Sequence, residues 1–136
     1  MSNTALSSGV MAGKKGLIMG VANERSIAWG IAKAMAEAGA ELAFTYQGEA
    51  FGKRLEPLAA SVGSDFMVDV DVTDDASLDN AFEHLGNRWD SIDFVVHAIA
   101  YSDKNELTGR ILNTSRENFK NSMDISAYSL IEVARR

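Results

Sequence analysis

Cysteine is absent from this chain of 136 residues, which excludes disulfides and thiolate metal sites and suits a reducing compartment such as the cytoplasm. Positive charge is in deficit: Lys and Arg number 13 against 19 Asp and Glu, for a formal charge of -6. No dense basic cluster interrupts that balance, and a nucleic-acid partner is disfavoured because phosphate backbones are met by a basic face. Long apolar runs are missing too. No stretch approaches the roughly eighteen continuous apolar residues of a membrane-crossing helix, and residues 1–13 lack the basic-then-apolar order of a secretory signal. That polar, small-residue opening reads as a flexible arm ahead of one domain spanning 14–136. Histidine occurs only at His84 and His97. With no thiolate, and with His84 on a solvated helix face, His97 reads as a packed or hydrogen-bonded strand residue, and no metal site is expected.

What is present is ordinary for a globular domain, with 46% hydrophobic and 24% charged residues. A chain of this size can bury about 68% of its unfolded surface. Four short apolar runs, at 16–19, 42–46, 66–72 and 94–100, read as strands. Between them, apolar residues recur at helical spacing. Ile27, Ile31, Ala34, Met35 and Ala38 mark a first helix stopped by Gly39. Phe51, Leu55, Leu58 and Val62 mark a second, in which the single proline, Pro57, predicts a kink or a later start. Leu78, Ala81, Phe82, Leu85 and Trp89 mark a third, with Thr73 and Asp74 as capping candidates. A fourth opens at Thr114 with Glu117 as its capping-box partner and carries Phe119, Met123, Ala127, Leu130 and Ala134. Strands and helices alternating at this period require parallel strands joined by right-handed crossovers. The expected fold is a doubly wound α/β sheet, Rossmann-like, ending after the fourth strand and its helix. In such folds ligands collect outside the carboxyl ends of the strands, where strand order reverses.

The strand ends therefore carry the candidate chemistry. From Gly20 to Gly30 the chain reads Gly-Val-Ala-Asn-Glu-Arg-Ser-Ile-Ala-Trp-Gly, a segment that either cradles a phosphate or makes an ordinary strand-to-helix turn. Gly20 permits a sharp backbone turn, Ser26 can cap the helix, and the helix N-terminus offers free N–H groups and partial positive charge to a pyrophosphate. The spacing departs from the common G-x-G-x-x-G fingerprint. Gln47 ends the second strand, suited to a ribose without adding charge, or else a solvated turn residue. Lys53 and Arg54 lie further along, but no basic residue occupies the strand end, which favours NADH over NADPH. Tyr46 and Lys53 have the spacing of a reductase tyrosine-lysine pair, but their place near the expected adenosine makes that spacing coincidental. Asp71 and Val72 close the third strand, where a carboxylate can accept from an exocyclic amine or cap the next helix. In His97-Ala98-Ile99-Ala100-Tyr101, small residues admit a flat ring close to the backbone.

Taken in order, Gly20 to Gly30, Glu41 to Gln47, Asp71-Val72, His97 to Ala100 and Asp124 to Ser129 resemble one family, the bacterial NADH-dependent enoyl-acyl carrier protein reductases of the short-chain dehydrogenase/reductase superfamily. Nearly everything after Gly13 takes part. The resemblance implies reduction of trans-2-enoyl thioesters on acyl carrier protein in fatty acid biosynthesis, with a homotetramer as the usual assembly. It implies that Gly20, Ala22, Ser26 and Ile27 hold the pyrophosphate side, Gln47 the adenosine ribose, and Asp71 and Val72 the adenine. Ala98, Ile99 and Ala100 would line the nicotinamide side, with Tyr101 and Ser102 facing the acyl substrate. Relatives often have Ser-Ile-Gly where this chain has Ala98-Ile99-Ala100, which removes a hydroxyl and keeps the backbone contacts.

The resemblance also implies a tyrosine that stabilises an enolate and a lysine that fixes a ribose, both beyond the fourth helix. Neither falls within residues 1–136, so no catalytic residue is assigned in this chain, and Tyr128 matches a different helix tyrosine. Two expectations follow: that the complete protein is longer and is an enzyme, or that the chain is a non-catalytic dinucleotide-binding module.

Overall fold

The four apolar runs form a single parallel sheet in a computed structural model that describes residues 9–136. Its strands are β1 (Lys15–Met19), β2 (Glu41–Tyr46), β3 (Met67–Asp69) and β4 (Phe94–His97), in the order β3-β2-β1-β4. The chain moves outward from β1 through β2 to β3, then crosses back to lay β4 on the other side of β1. Register places Met19 beside both Thr45 and His97, so three strand ends finish level at the point where the order reverses.

Alternation along the strands builds a core on each face. Leu17, Met19 and Ala43 face α3 (Asp75–Arg88), packing with Leu78, Ala81 and Leu85 and with Val133 of a later helix. Ile18, Leu42 and Phe44 face the opposite way, against Ala28, Trp29 and Ala32 of α1 (Ile27–Glu37) and Leu55 and Ala59 of α2 (Glu49–Ser61). Each such Leu, Ile or Phe contributes about 1.5–3 kcal/mol by leaving water. These helices hold the strand ends in place.

Four expectations are corrected. The strands at the third and fourth runs stop at Asp69 and His97, short of Val72 and Ala100. Their partners end there: Tyr46 is the last residue paired with β3 and Met19 the last paired with β4. Pro57 neither delays nor divides α2, which begins at Glu49 and runs through to Ser61. Leu55 and Ala59, fully buried on either side of it, anchor the helix despite the lost N–H.

The N-cap lies one residue later than Thr114, and no capping box closes it. Ser115 caps α4 (Arg116–Met123), accepting from the Asn118 N–H at 3.0 Å. Glu106, not Glu117, receives the Ser115 N–H at 2.6 Å. The fourth helix is also not one helix. A π-helical turn (Asp124–Tyr128) separates α4 from α5 (Ser129–Arg135), and the expected stripe of Phe119, Met123 and Leu130 is at least half exposed. Val133, Ser129 and Glu132 turn inward instead.

Of the arm expected over 1–13, residues 1–8 lie outside the described residues. Further on, the Met11 N–H donates to Ala38 O at 2.8 Å. Gly39 ends α1 with φ +103. Among the described residues no helix is long and apolar enough to cross a membrane.

Candidate functional site

Where β1 and β4 end side by side, their backbones nearly touch. The Ala98 N–H donates to Met19 O at 3.0 Å, and the next residue of β1's chain is Gly20, at φ +108. A Cβ there would meet the Ala98 carbonyl oxygen at 2.1 Å. Glycine is thus required twice, by a left-handed backbone and by a neighbour with nowhere to move.

From Gly20 the chain turns into α1 around the Ser26 hydroxyl. Ser26 occupies the N-cap position but makes no side-chain cap bond, which corrects the capping role expected for it. Its Oγ instead accepts from the N–H groups of Ala22 at 2.9 Å and Asn23 at 3.1 Å. Both lone pairs are thereby used, and what the hydroxyl has left to offer is its proton. Trp29 and Gly30 N–H groups bond to Ser26 O, while those of Ile27 and Ala28 have no backbone or side-chain acceptor among the described residues. A donor hydroxyl and open N–H groups at a helix N-terminus are chemistry that can receive an anion. The Ile27 side chain is 80% exposed, so what this residue offers inward is its backbone N–H.

The other strand ends complete a cleft of about 200 Å³. Gly20, Val21 and Ala22 meet Ala98, Ile99 and Ala100 across the switch point, and Thr45, Tyr46 and Gln47 extend the cleft along β2. Phe51, Val70 and Val72 close its far end. Among the described residues no charged side chain lines it. Of the residues expected from sequence, Gly20, Ala22, Gln47, Val72, Ala98, Ile99 and Ala100 are brought together. Tyr46, expected near the adenosine, and Thr45 join Gln47 at the end of β2, whereas Val21, Phe51 and Val70 were not named from sequence, since an apolar residue facing a cleft has the same pattern as one facing the core. Lys53 does not pair with Tyr46: it bridges to Glu49 at 2.7 Å.

Asp71 stands outside the lining. Its Oδ1 accepts from the N–H and the hydroxyl of Thr73, at 2.9 and 2.7 Å. Asp74, rather than Asp71, caps α3, accepting from the Ala76 N–H at 3.0 Å. Tyr101 lies in a neighbouring cleft with Asp103, Glu106 and Lys120, and the Ser102 hydroxyl accepts from Asn118 Nδ2 at 3.1 Å. His97 is hydrogen-bonded to Ser129 Oγ at 2.7 Å. Among the described residues no group of three His, Asp or Glu side chains forms a candidate metal site.

Titration is perturbed away from the cleft, on and around α5. The Tyr128 hydroxyl donates to Glu132 Oε1 at 2.7 Å, and Arg136 Nη1 donates to Oε2 at 2.9 Å. The tyrosine and then the arginine hold the Glu132 carboxyl below the ordinary carboxylate range, and Glu132 in turn raises Tyr128. Arg136 also reaches Asp79 at 2.6 Å, tying α5 to α3.

Comparison with known proteins adds the family context. A family model described as enoyl-(acyl carrier protein) reductase matches residues 20–136. The enoyl-acyl-carrier-protein reductase (NADH) 1 of Rhizobium meliloti (strain 1021) is 62% identical over 97% of this chain and 48% of its own length. FabI of Rickettsia felis, also described as an NADH reductase, is 49% identical over 96% of this chain and 50% of its own. Among solved structures, FabI from Candidatus Liberibacter asiaticus superposes with a TM-score of 0.91 at 58% identity, over 93% of this chain and 49% of that one. The reductase from Anaplasma phagocytophilum, solved in complex with NAD, gives 0.89 at 56% identity, over 93% and 48%. The chain spans about half the length of the curated relatives it matches.

Proposed function

The chain belongs to the enoyl-(acyl carrier protein) reductase family, and from that premise we propose that the protein, at the full length of its relatives, reduces trans-2-enoyl thioesters carried on acyl carrier protein, using NADH, in fatty acid biosynthesis. The observation that carries this reading is the cleft at the sheet's switch point. There Gly20 and Ala98 touch, and the first turn of α1 presents open donors beside them.

These residues fit a dinucleotide. Gly20 and Ala22 let a diphosphate approach the backbone, and the Ser26 hydroxyl, having only its proton to give, donates to it along with the Ile27 N–H. The charge is met by N–H dipoles, since among the described residues no cation lines the cleft. Gln47 holds the adenosine ribose through neutral hydrogen bonds. Val72 flanks the adenine, and Asp71 accepts from its amine through the carboxylate oxygen that Thr73 leaves free. Ala98, Ile99 and Ala100 form a small-residue wall for the nicotinamide, with backbone groups as the only polar contacts from the two alanines. Tyr101 and Ser102, further along the same segment, face the acyl substrate. NADH, when bound, supplies a hydride to the carbon beta to the thioester carbonyl.

We place the protein in the cytoplasm, as a homotetramer. Support for self-association comes from α4 and α5, where Phe119, Met123, Leu130 and Ile131 are each at least half exposed, an apolar face that water disfavours.

The test is direct: full-length protein mixed with NADH and a crotonyl or longer enoyl thioester should consume reduced nicotinamide, followed by its absorbance. No consumption with either NADH or NADPH would overturn the assignment.

A further inference from the structure

Four polar side chains, Asn118, Ser122, Ser126 and Ser129, run along the helical column from α4 through the π-helical turn into α5, spaced to share one face. All four are engaged, and three of them grip the chain from the last residue of β4, His97, through the irregular segment to Asp103. Ser129 Oγ lies 2.6 Å from Ile125 O, to which it can donate, and is hydrogen-bonded to His97 Nε2 at 2.7 Å. Ser126 Oγ takes both backbone groups of Tyr101, accepting from the N–H at 2.9 Å and donating to the carbonyl at 3.2 Å. Asn118 Oδ1 accepts from the Asp103 N–H at 2.9 Å, with Ser122 Oγ donating to the same oxygen at 3.2 Å.

A helix lying on a sheet normally turns apolar residues inward. Here Asn118 and Ser129 are buried at 9% and 1% exposure, and the face is used to hold the His97 imidazole and to satisfy backbone groups of Tyr101 and Asp103 that lie beyond the ladder. The stretch between the grips on His97 and Tyr101 is Ala98-Ile99-Ala100, one wall of the cleft. Among the described residues nothing else polar holds that wall beyond the Ala98 N–H bond to Met19 O. The π-helical turn contains Ser126 and ends one residue before Ser129, and such turns recur at functional sites because they re-aim side chains within a helix.

We propose that Ser126 and Ser129 are positioning residues that fix the wall Ala98–Ala100 for the cofactor by gripping the chain immediately before and after it. The inference rests on the dinucleotide reading of the cleft.

In the full-length protein, Ser126→Ala should speed hydrogen exchange at the Tyr101 amide about tenfold. It should also raise the KM for NADH about three- to tenfold, the factor a lost hydrogen bond carries. Ser126→Thr, which keeps the hydroxyl, should restore both. Ser129→Ala, which releases His97, should shift KM in the same direction and serves where the first variant folds poorly. A lowered melting temperature with unchanged KM in both alanine variants would make the serines merely structural and overturn the proposal, as would unchanged exchange at Tyr101. A wild-type protein that bound no NADH would instead sink the dinucleotide reading, while the exchange measurement would still decide whether Ser126 holds the wall.

Discussion

Gly20 and Ala98 pack so closely that no methyl group fits between the α-carbon of one and the carbonyl oxygen of the other. The two walls of the cleft, one from β1 and one from β4, are therefore a single rigid piece at their base. Gly20→Ala should force that piece apart. Together with the positive φ of 108°, the strain should cost about 1–3 kcal/mol and lower the melting temperature by roughly 3–10 °C. NADH affinity, read by fluorescence titration, should fall more than about tenfold.

Ser26→Ala removes the acceptor that holds the Ala22 and Asn23 N–H groups and the donor left for a diphosphate. NADH should bind about tenfold more weakly by calorimetry, the loss of a charge-assisted hydrogen bond. Ser26→Thr should stay near wild type, because the hydroxyl remains.

How much of this was legible in the sequence depends on the range of the interaction that fixes each feature. Gly20, Gln47 and Ile99 could be placed from sequence because a strand's end follows from its apolar run and the cleft from the alternation of elements. Gly39 marked the end of α1 for the same local reason. Phe51 and Val70 could not be recognised as lining, because an apolar residue facing a cleft has the same pattern as one facing the core. The π-helical turn left no local trace either. What accompanies it is the bond between His97 and Ser129, 32 residues apart, and the grip of Ser126 on Tyr101, 25 apart. Asp71 stayed open between an adenine contact and a helix cap because both ask for the same carboxylate, whereas Asp74, a capping candidate by sequence, does cap α3.

Cofactor choice follows from the end of β2. Gln47 carries no charge, Lys53 is paired with Glu49, and the Arg54 guanidinium lies 5.6 Å above the Phe51 ring. A 2'-phosphate would meet no free cation from these residues, so NADPH should bind at least about tenfold more weakly than NADH. Gln47→Arg should narrow that gap in a parallel titration of the two cofactors.

The α5 network sets a pH dependence. Glu132 has a folded pKa held below its ordinary value of 4.5 by Tyr128 and Arg136. Its contribution to stability is thus present above 4.5 and is lost as pH falls through the depressed folded value. Tyr128 is raised above 10.0, so its share is present below 10.0 and lost as pH climbs through the raised value. Glu132→Gln should lower the melting temperature near neutral pH, and the difference from wild type should shrink as the pH is taken down from about 5 to 3.

The central claim is that a dinucleotide lies across the sheet's strand ends with its diphosphate at the entrance to α1. A crystal structure of the full-length protein grown with NADH tests it most directly. The account predicts diphosphate oxygens within hydrogen-bonding distance of Ser26 Oγ and the Ile27 N–H, with the nicotinamide against Ala98–Ala100. A cofactor bound elsewhere, or a diphosphate that makes no contact with this turn, would contradict it.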